Sequence, residues 1–264
     1  SRLDKEPSLT FGSVNAGSIM VADDLVLAAK DAFSMQLALN ITQHDAGRER
    51  YKFNRDKTKV VYYNMPEPKL YLYDSPLGTS ASEAHLGILR TASNNNLEAV
   101  EAKVKAARQC TFALKNAGYY GLGTGPEAAL LKYRTMVLPT LLYGIEALVL
   151  SDRELTVLTM YHRQTLRCLQ HLPKSTAVPA LHLLSGIAPV EALLDIKTLT
   201  FFRSTVAINP DNPPLTYIRS LVTHQLATTG MDSASWTAKV RRRPCKYQLP
   251  VAADIATDPP KPDR

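Results

Sequence analysis

A chain of 264 residues that is 45% hydrophobic and 21% charged has the length and make-up of an ordinary globular protein, with one large core or two small ones, and excludes a fibrous or wholly disordered chain. No apolar run approaches the roughly 18 residues of a membrane span and no signal-peptide pattern opens the chain, so no membrane partner is expected. The net charge of +7 favours an acidic partner such as nucleic acid, and three widely spaced cysteines, Cys110, Cys168 and Cys245, suit a reducing compartment better than a disulfide framework.

The first residue is Ser1, with no initiator Met, which leads us to expect a fragment or a processed product. Two short apolar segments, Ile19–Ala22 and Leu25–Ala29, predict strands turning at Asp23 and Asp24. Met35, Ala38, Leu39, Thr42 and Ala46 recur at helical spacing and predict a helix from Ser34 to about Arg50. A polar turn at Asn54–Lys57 precedes a β-branched strand, Thr58–Tyr63, and shorter strands are expected at Leu70–Tyr73 and Ala84–Leu89.

Beyond Thr91 the pattern becomes helical. Leu97, Val100, Val104, Ala107 and Leu114 line one face, while Lys103, Lys105, Arg108 and Lys115 sit mainly on others. GYYGLGTGP reads as a loop, and Pro126 suits the first position of the next helix. Pro139 breaks or kinks that helix before TLLYGIEALVL resumes it. Ser151–Glu154 has capping-box spacing and opens a helix to about His171. Two further helices are expected near Pro189 and Pro214, separated by the linker INPDNPP, and DPPKPDR at the end is expected to be disordered. The fold class is thus α+β, in four parts: 1–91 with the short strands and Asp pair, 92–172 and 173–230 helical, and 231–264 a basic segment and tail.

Chemistry concentrates in IMVADDLVLAA. Burying unpaired carboxylates is costly, so two of them inside an apolar stretch mark either a solvated turn or a site for a hard cation such as Mg²⁺, which takes oxygen ligands. Together with the segments downstream of it, this stretch resembles the later palm motifs of reverse transcriptases (RNA-directed DNA polymerases), most closely those of non-LTR retrotransposons. The motifs are MVADDLVLAA, the helix MQLALNITQHDAGRERYKFN, the turn NRDKTKVV and the strand HLGI. VLPTLLYGIEAL and RQTLRCLQHLP look like the thumb and post-thumb helices of that family, and SWTAKVRRRPCKYQLP like a segment further downstream.

The resemblance implies a partial polymerase palm in 1–91, a helical thumb in 92–172 and post-thumb helices in 173–230. It implies Asp23 as a Mg²⁺ ligand with Asp24 as a second acid, and Lys57 as a charge stabiliser or proton donor to leaving pyrophosphate. Leu86 and Gly87 would support a primer strand, and the basic thumb, including Lys103 and Arg108, would grip the duplex of RNA template and DNA primer. A cytoplasmic and nuclear place in the cell goes with that activity. Arg241, Arg242 and Arg243 lie in the densest basic run, KVRRRPCK, and are candidates for phosphate contact.

The chain departs from the family pattern in two ways. Val21 stands where the family usually has Tyr or Phe, and only Asp4 and Glu6 precede the pair, too close to supply the palm's other metal-binding Asp. The fingers are also missing, so the chain alone is not expected to polymerise DNA. The alternative is a non-catalytic nucleic-acid-binding helical remnant, or a pseudogene product. His162, Cys168 and His171 lack the second ligand pair that zinc wants, which favours packing roles. Tyr119, Tyr120, Tyr133 and Tyr143 could stack on bases, with packing the expected role of the last two.

Overall fold

The computed structural model describes residues 10–248, apart from 12–13, 16, 94, 120–123, 208–212, 231–232 and 234. The architecture is mainly helical, with short two-stranded sheets confined to the N-terminal part. Strands β1 (Thr10–Phe11) and β2 (Val14–Asn15) pair first, followed by the hairpin of β3 (Ser18–Val21) and β4 (Asp24–Leu27). Helix α1 (Ala32–Arg48) starts where Asp31 accepts hydrogen bonds from the Ser34 N–H and hydroxyl, contacts that hold the Asp31 carboxyl below its ordinary pKa. It packs on a small core of Leu39, Leu70, Leu72 and Leu77, built partly from β6 (Tyr71–Leu72), which pairs with β7 (Ser75–Pro76).

Several sequence expectations shift here. The strand expected over Thr58–Tyr63 shrinks to β5 (Lys59–Val60), which pairs in parallel with β8 (Gly78–Thr79). The stretch Ala84–Leu89 is a hairpin instead of one strand. Strand β9 (Ser82–His85) runs antiparallel to β10 (Ile88–Thr91), and Leu86 and Gly87 form the turn with φ of 49° and 72°. Gly87 tolerates that left-handed geometry without cost, which is why the chain reverses there.

The largest core belongs to the helices. Helix α2 (Leu97–Asn116) buries Val100, Val104, Ala107 and Leu114, and α3 (Pro126–Lys132) opens with Pro126 at its first turn. Pro139 lacks an N–H and its ring crowds the carbonyl one turn back. The chain absorbs this with a π turn over Tyr133–Val137 before α4 (Leu138–Leu142). Contrary to the expected resumption, the helix stops at Leu142. Gly144 adopts φ of 78°, and a Cβ there would lie 2.6 Å from the Ile88 side chain. Helix α5 (Asp152–Leu169) carries a complete capping box between Ser151 and Glu154.

Helix α6 (Val178–Ser185) lies between the helices expected from sequence. Helix α7 (Val190–Val206) joins two cores, giving Val190 and Leu194 to the large one and Phe202 and Val206 to a second with α8 (Pro213–Thr228) and α9 (Trp236–Lys246). The large core runs from Ala99 in α2 to Leu194 in α7. The linker INPDNPP lies mostly, and DPPKPDR wholly, outside the described residues. Among the described residues no single helix is long and apolar enough to cross a membrane.

Candidate functional site

The acid pair sits at the tip of the β3–β4 hairpin. Val21 pairs with Asp24 across the ladder, so Ala22 and Asp23 alone make the turn. Ala22 takes φ of 54°, a left-handed conformation that costs a non-glycine residue about 1 kcal/mol. This tight reversal puts Asp23 in the turn and Asp24 at the first position of β4, both exposed. The strands beside the acids are apolar. Even so, Ile19, Met20 and Val21 are exposed, and β3 and β4 form a sheet of two strands only.

Oxygen donors of this kind suit Mg²⁺, which takes about six oxygens, several of them from water or phosphate. No cluster of three or more His, Cys, Asp or Glu side chains able to hold a metal occurs among the described residues. Two neighbouring carboxylates do not by themselves make a resident metal site.

Lys57 lies in an Asx turn. Asn54 Oδ1 accepts from the backbone N–H groups of Asp56 and Lys57 at 3.0 and 3.3 Å, and the Asn54 carbonyl accepts from Thr58 N–H and Oγ1. The Lys57 side chain is exposed, and no hydrogen bond or ion pair among the described residues joins it to Asp23 or Asp24.

Three other predicted residues come together. Lys103 Nζ donates to the Gly87 carbonyl at 2.7 Å and lies 4.6 Å from the Tyr143 ring centroid, while the Tyr143 hydroxyl donates to the Leu86 carbonyl at 3.1 Å. Both turn carbonyls of the β9–β10 hairpin are therefore bound by the helical core, and partial burial pulls the Lys103 pKa down. Arg108 remains exposed, with its guanidinium 5.9 Å from the Tyr161 ring centroid.

The basic run of α9 faces inward for the most part. Arg243 Nε pairs with the buried Asp195 carboxylate at 2.7 Å, and Asp195 also accepts from Lys246 Nζ at 3.3 Å and the Tyr247 hydroxyl at 2.8 Å. Arg241 binds the C-terminal carbonyls of α8 at Leu226 and Thr229, Lys239 Nζ binds the Leu150 carbonyl at 2.6 Å, and Trp236 Nε1 binds the Glu146 carbonyl. Burial lowers the pKa of Lys239 and Arg243, whereas the hydrogen bond to Glu191 raises that of Lys246. Arg242 is exposed, with one long contact to the Ser233 carbonyl at 3.4 Å. Most cations of this run, named from sequence as candidates for phosphate contact, thus also fasten α9 to the helical body, while Arg242 stays exposed.

His162 is fully buried. Its Nε2 faces the Ala188 carbonyl at 3.2 Å, which can only accept, so Nε2 carries the proton and Nδ1 accepts from the Tyr133 hydroxyl at 2.7 Å. With both nitrogens committed, His162 is no metal ligand, and Cys168 and His171 are exposed. Sequence reasoning passed over Phe112, which is 62% exposed on α2; its spacing from Lys105, Arg108 and Lys115 was the available signal. Comparison with known proteins gives no match: no family model, no curated protein and no solved structure is similar to the chain.

Proposed function

We propose that the chain is a piece of a retroelement reverse transcriptase. In this reading the β3–β4 hairpin belongs to the palm, α2 to α5 form the thumb, and the later helices are the post-thumb region. The intact enzyme would add deoxynucleotides to a primer on an RNA template, with Asp23 and Asp24 contributing part of a Mg²⁺ site completed by other residues. The observation that carries the reading is the order of features along the chain. A two-residue hairpin presents paired carboxylates, an Asx turn at Asn54 follows the next helix, and a Leu86–Gly87 hairpin docks on a basic helical body. A second reading, a non-catalytic nucleic-acid-binding module, is favoured by the acid pair having no third ligand among the described residues. Both readings expect the chain alone not to polymerise DNA.

Binding of the purified chain to a primer–template duplex across a salt series tests what the two share. Binding is expected to fall steeply as salt rises, and Asp23→Ala is expected to leave it within twofold of the parent at low salt. Absence of binding at low salt would remove nucleic acid as the partner. The two readings part on Mg²⁺: an enzyme piece is expected to lose a weak, millimolar Mg²⁺-induced shift in the amide spectrum of the hairpin with Asp23→Ala, and a module without metal chemistry shows no such shift.

A further inference from the structure

We infer that the outer flank of α2 is a platform for single-stranded nucleic acid, with Phe112 as the stacking residue; this rests on the nucleic-acid reading above and adds the form of the ligand. Lys105, Arg108, Phe112 and Lys115 recur at three- and four-residue steps, so they lie along one stripe of the helix, beside the face that buries Val104, Ala107 and Leu114. Tyr119, one further step on and just past the helix end, is 39% exposed, and Lys132 Nζ sits 4.8 Å from its ring centroid. The stripe therefore alternates cations with aromatic rings.

Its cations are available. Neither Lys105 nor Lys115 has an ion pair or hydrogen bond from its side chain among the described residues, and Arg108 lies over the Tyr161 ring without an ion pair or hydrogen bond among them. Glu101, one turn before Lys105, is the acid that closes the stripe at its N-terminal end. Lone exposed apolar residues are common on protein surfaces, but a phenylalanine 62% exposed beside three cations that make no ion pair among the described residues has a specific chemical complement. Phosphates meet the cations, and an unstacked base covers the ring. A duplex offers phosphates but no free base face, because its bases stack on each other. The aromatic part of the stripe thus selects the single strand, and the cations alone would not.

The test measures fluorescence anisotropy of a labelled oligodeoxythymidylate and of a blunt duplex of two complementary DNA strands, at low salt, with the full chain. Base stacking on an aromatic side chain contributes about 1–3 kcal/mol, so Phe112→Leu is expected to weaken oligodeoxythymidylate binding about 10-fold, with Phe112→Trp restoring it and duplex binding unchanged within twofold. The double change Lys105→Gln with Lys115→Gln is expected to weaken both ligands and flatten the salt dependence. Unchanged oligodeoxythymidylate binding by Phe112→Leu, or equal loss on both ligands, overturns the platform. A wild-type chain that binds duplex but not the oligonucleotide overturns the platform alone; one that binds neither overturns the nucleic-acid reading with it.

Discussion

Single residues in the helical body are set by what they satisfy. His162 is held neutral in the core, with burial as the main cause, the neighbouring His182 ring as the next, and a pKa lowered from 6.5 to about 4. Because the folded value lies below the unfolded one, the unfolded chain binds a proton first as the solution is acidified. The stability associated with His162 is intact above pH 6.5, declines as pH falls, and is lost by about 3 kcal/mol once pH 4 is passed. Urea unfolding at pH 7, 5.5 and 4 is expected to show this decline. Tyr133→Phe, which removes the donor to His162 Nδ1, is expected to cost about 1 kcal/mol at pH 7 in the same assay. Asp195 is the acidic counterpart. Replacing it with Asn leaves Arg243 partly buried without its anion, and a loss of about 3 kcal/mol is expected from the shift in urea midpoint.

Among the elements, the β9–β10 hairpin depends on the helical body through Lys103, Tyr143 and the close approach of Gly144 to Ile88. Gly144→Ala forces a Cβ into the Ile88 side chain at a left-handed position, and is expected to cost about 2 kcal/mol and to speed amide exchange over Ile88–Thr91. Elements whose signals are local were legible in the sequence: the Ser151–Glu154 capping box, Pro126 at a first turn and the buried face of α2 stand where periodicity and cap chemistry placed them, and the acid-tipped hairpin forms with its turn one residue earlier, at Ala22–Asp23. Others were decided by distant contacts. Helix α6 is short and almost wholly apolar, so no helical stripe marked it, and α9 carries Pro244 among basic residues, a composition that reads as a tail. The direction of Arg243 depends on Asp195, about fifty residues earlier, which no local window connects to it. For the same reason Lys103 and Lys105 look alike in sequence, yet one binds a hairpin carbonyl and the other makes no hydrogen bond or ion pair among the described residues.

Over the whole molecule, α+β order falls along the chain as a contrast in packing. The helical body has a large continuous core from α2 to α7, whereas the N-terminal part relies on four buried leucines and sheets of two strands each. An isolated pair of strands is marginal in water, so the acid-bearing hairpin is expected to exchange its amides orders of magnitude faster than α2 or α5. Limited proteolysis is expected to cut first within the N-terminal part and to leave a helical fragment beginning near α2.

The attachment of α9 also bears on how the chain is made. Asp195 leaves the ribosome about fifty residues ahead of Arg243, Lys246 and Tyr247, the groups that later satisfy its carboxylate, and the Glu146 and Leu150 carbonyls wait still longer for Trp236 and Lys239. The body built during synthesis therefore holds open acceptors until α9 arrives, at a delay of several seconds at ordinary translation rates of about 5–20 residues per second. A chain released before Trp236 is made would lack the α9 donors that meet the Glu146 carbonyl and the Asp195 carboxylate.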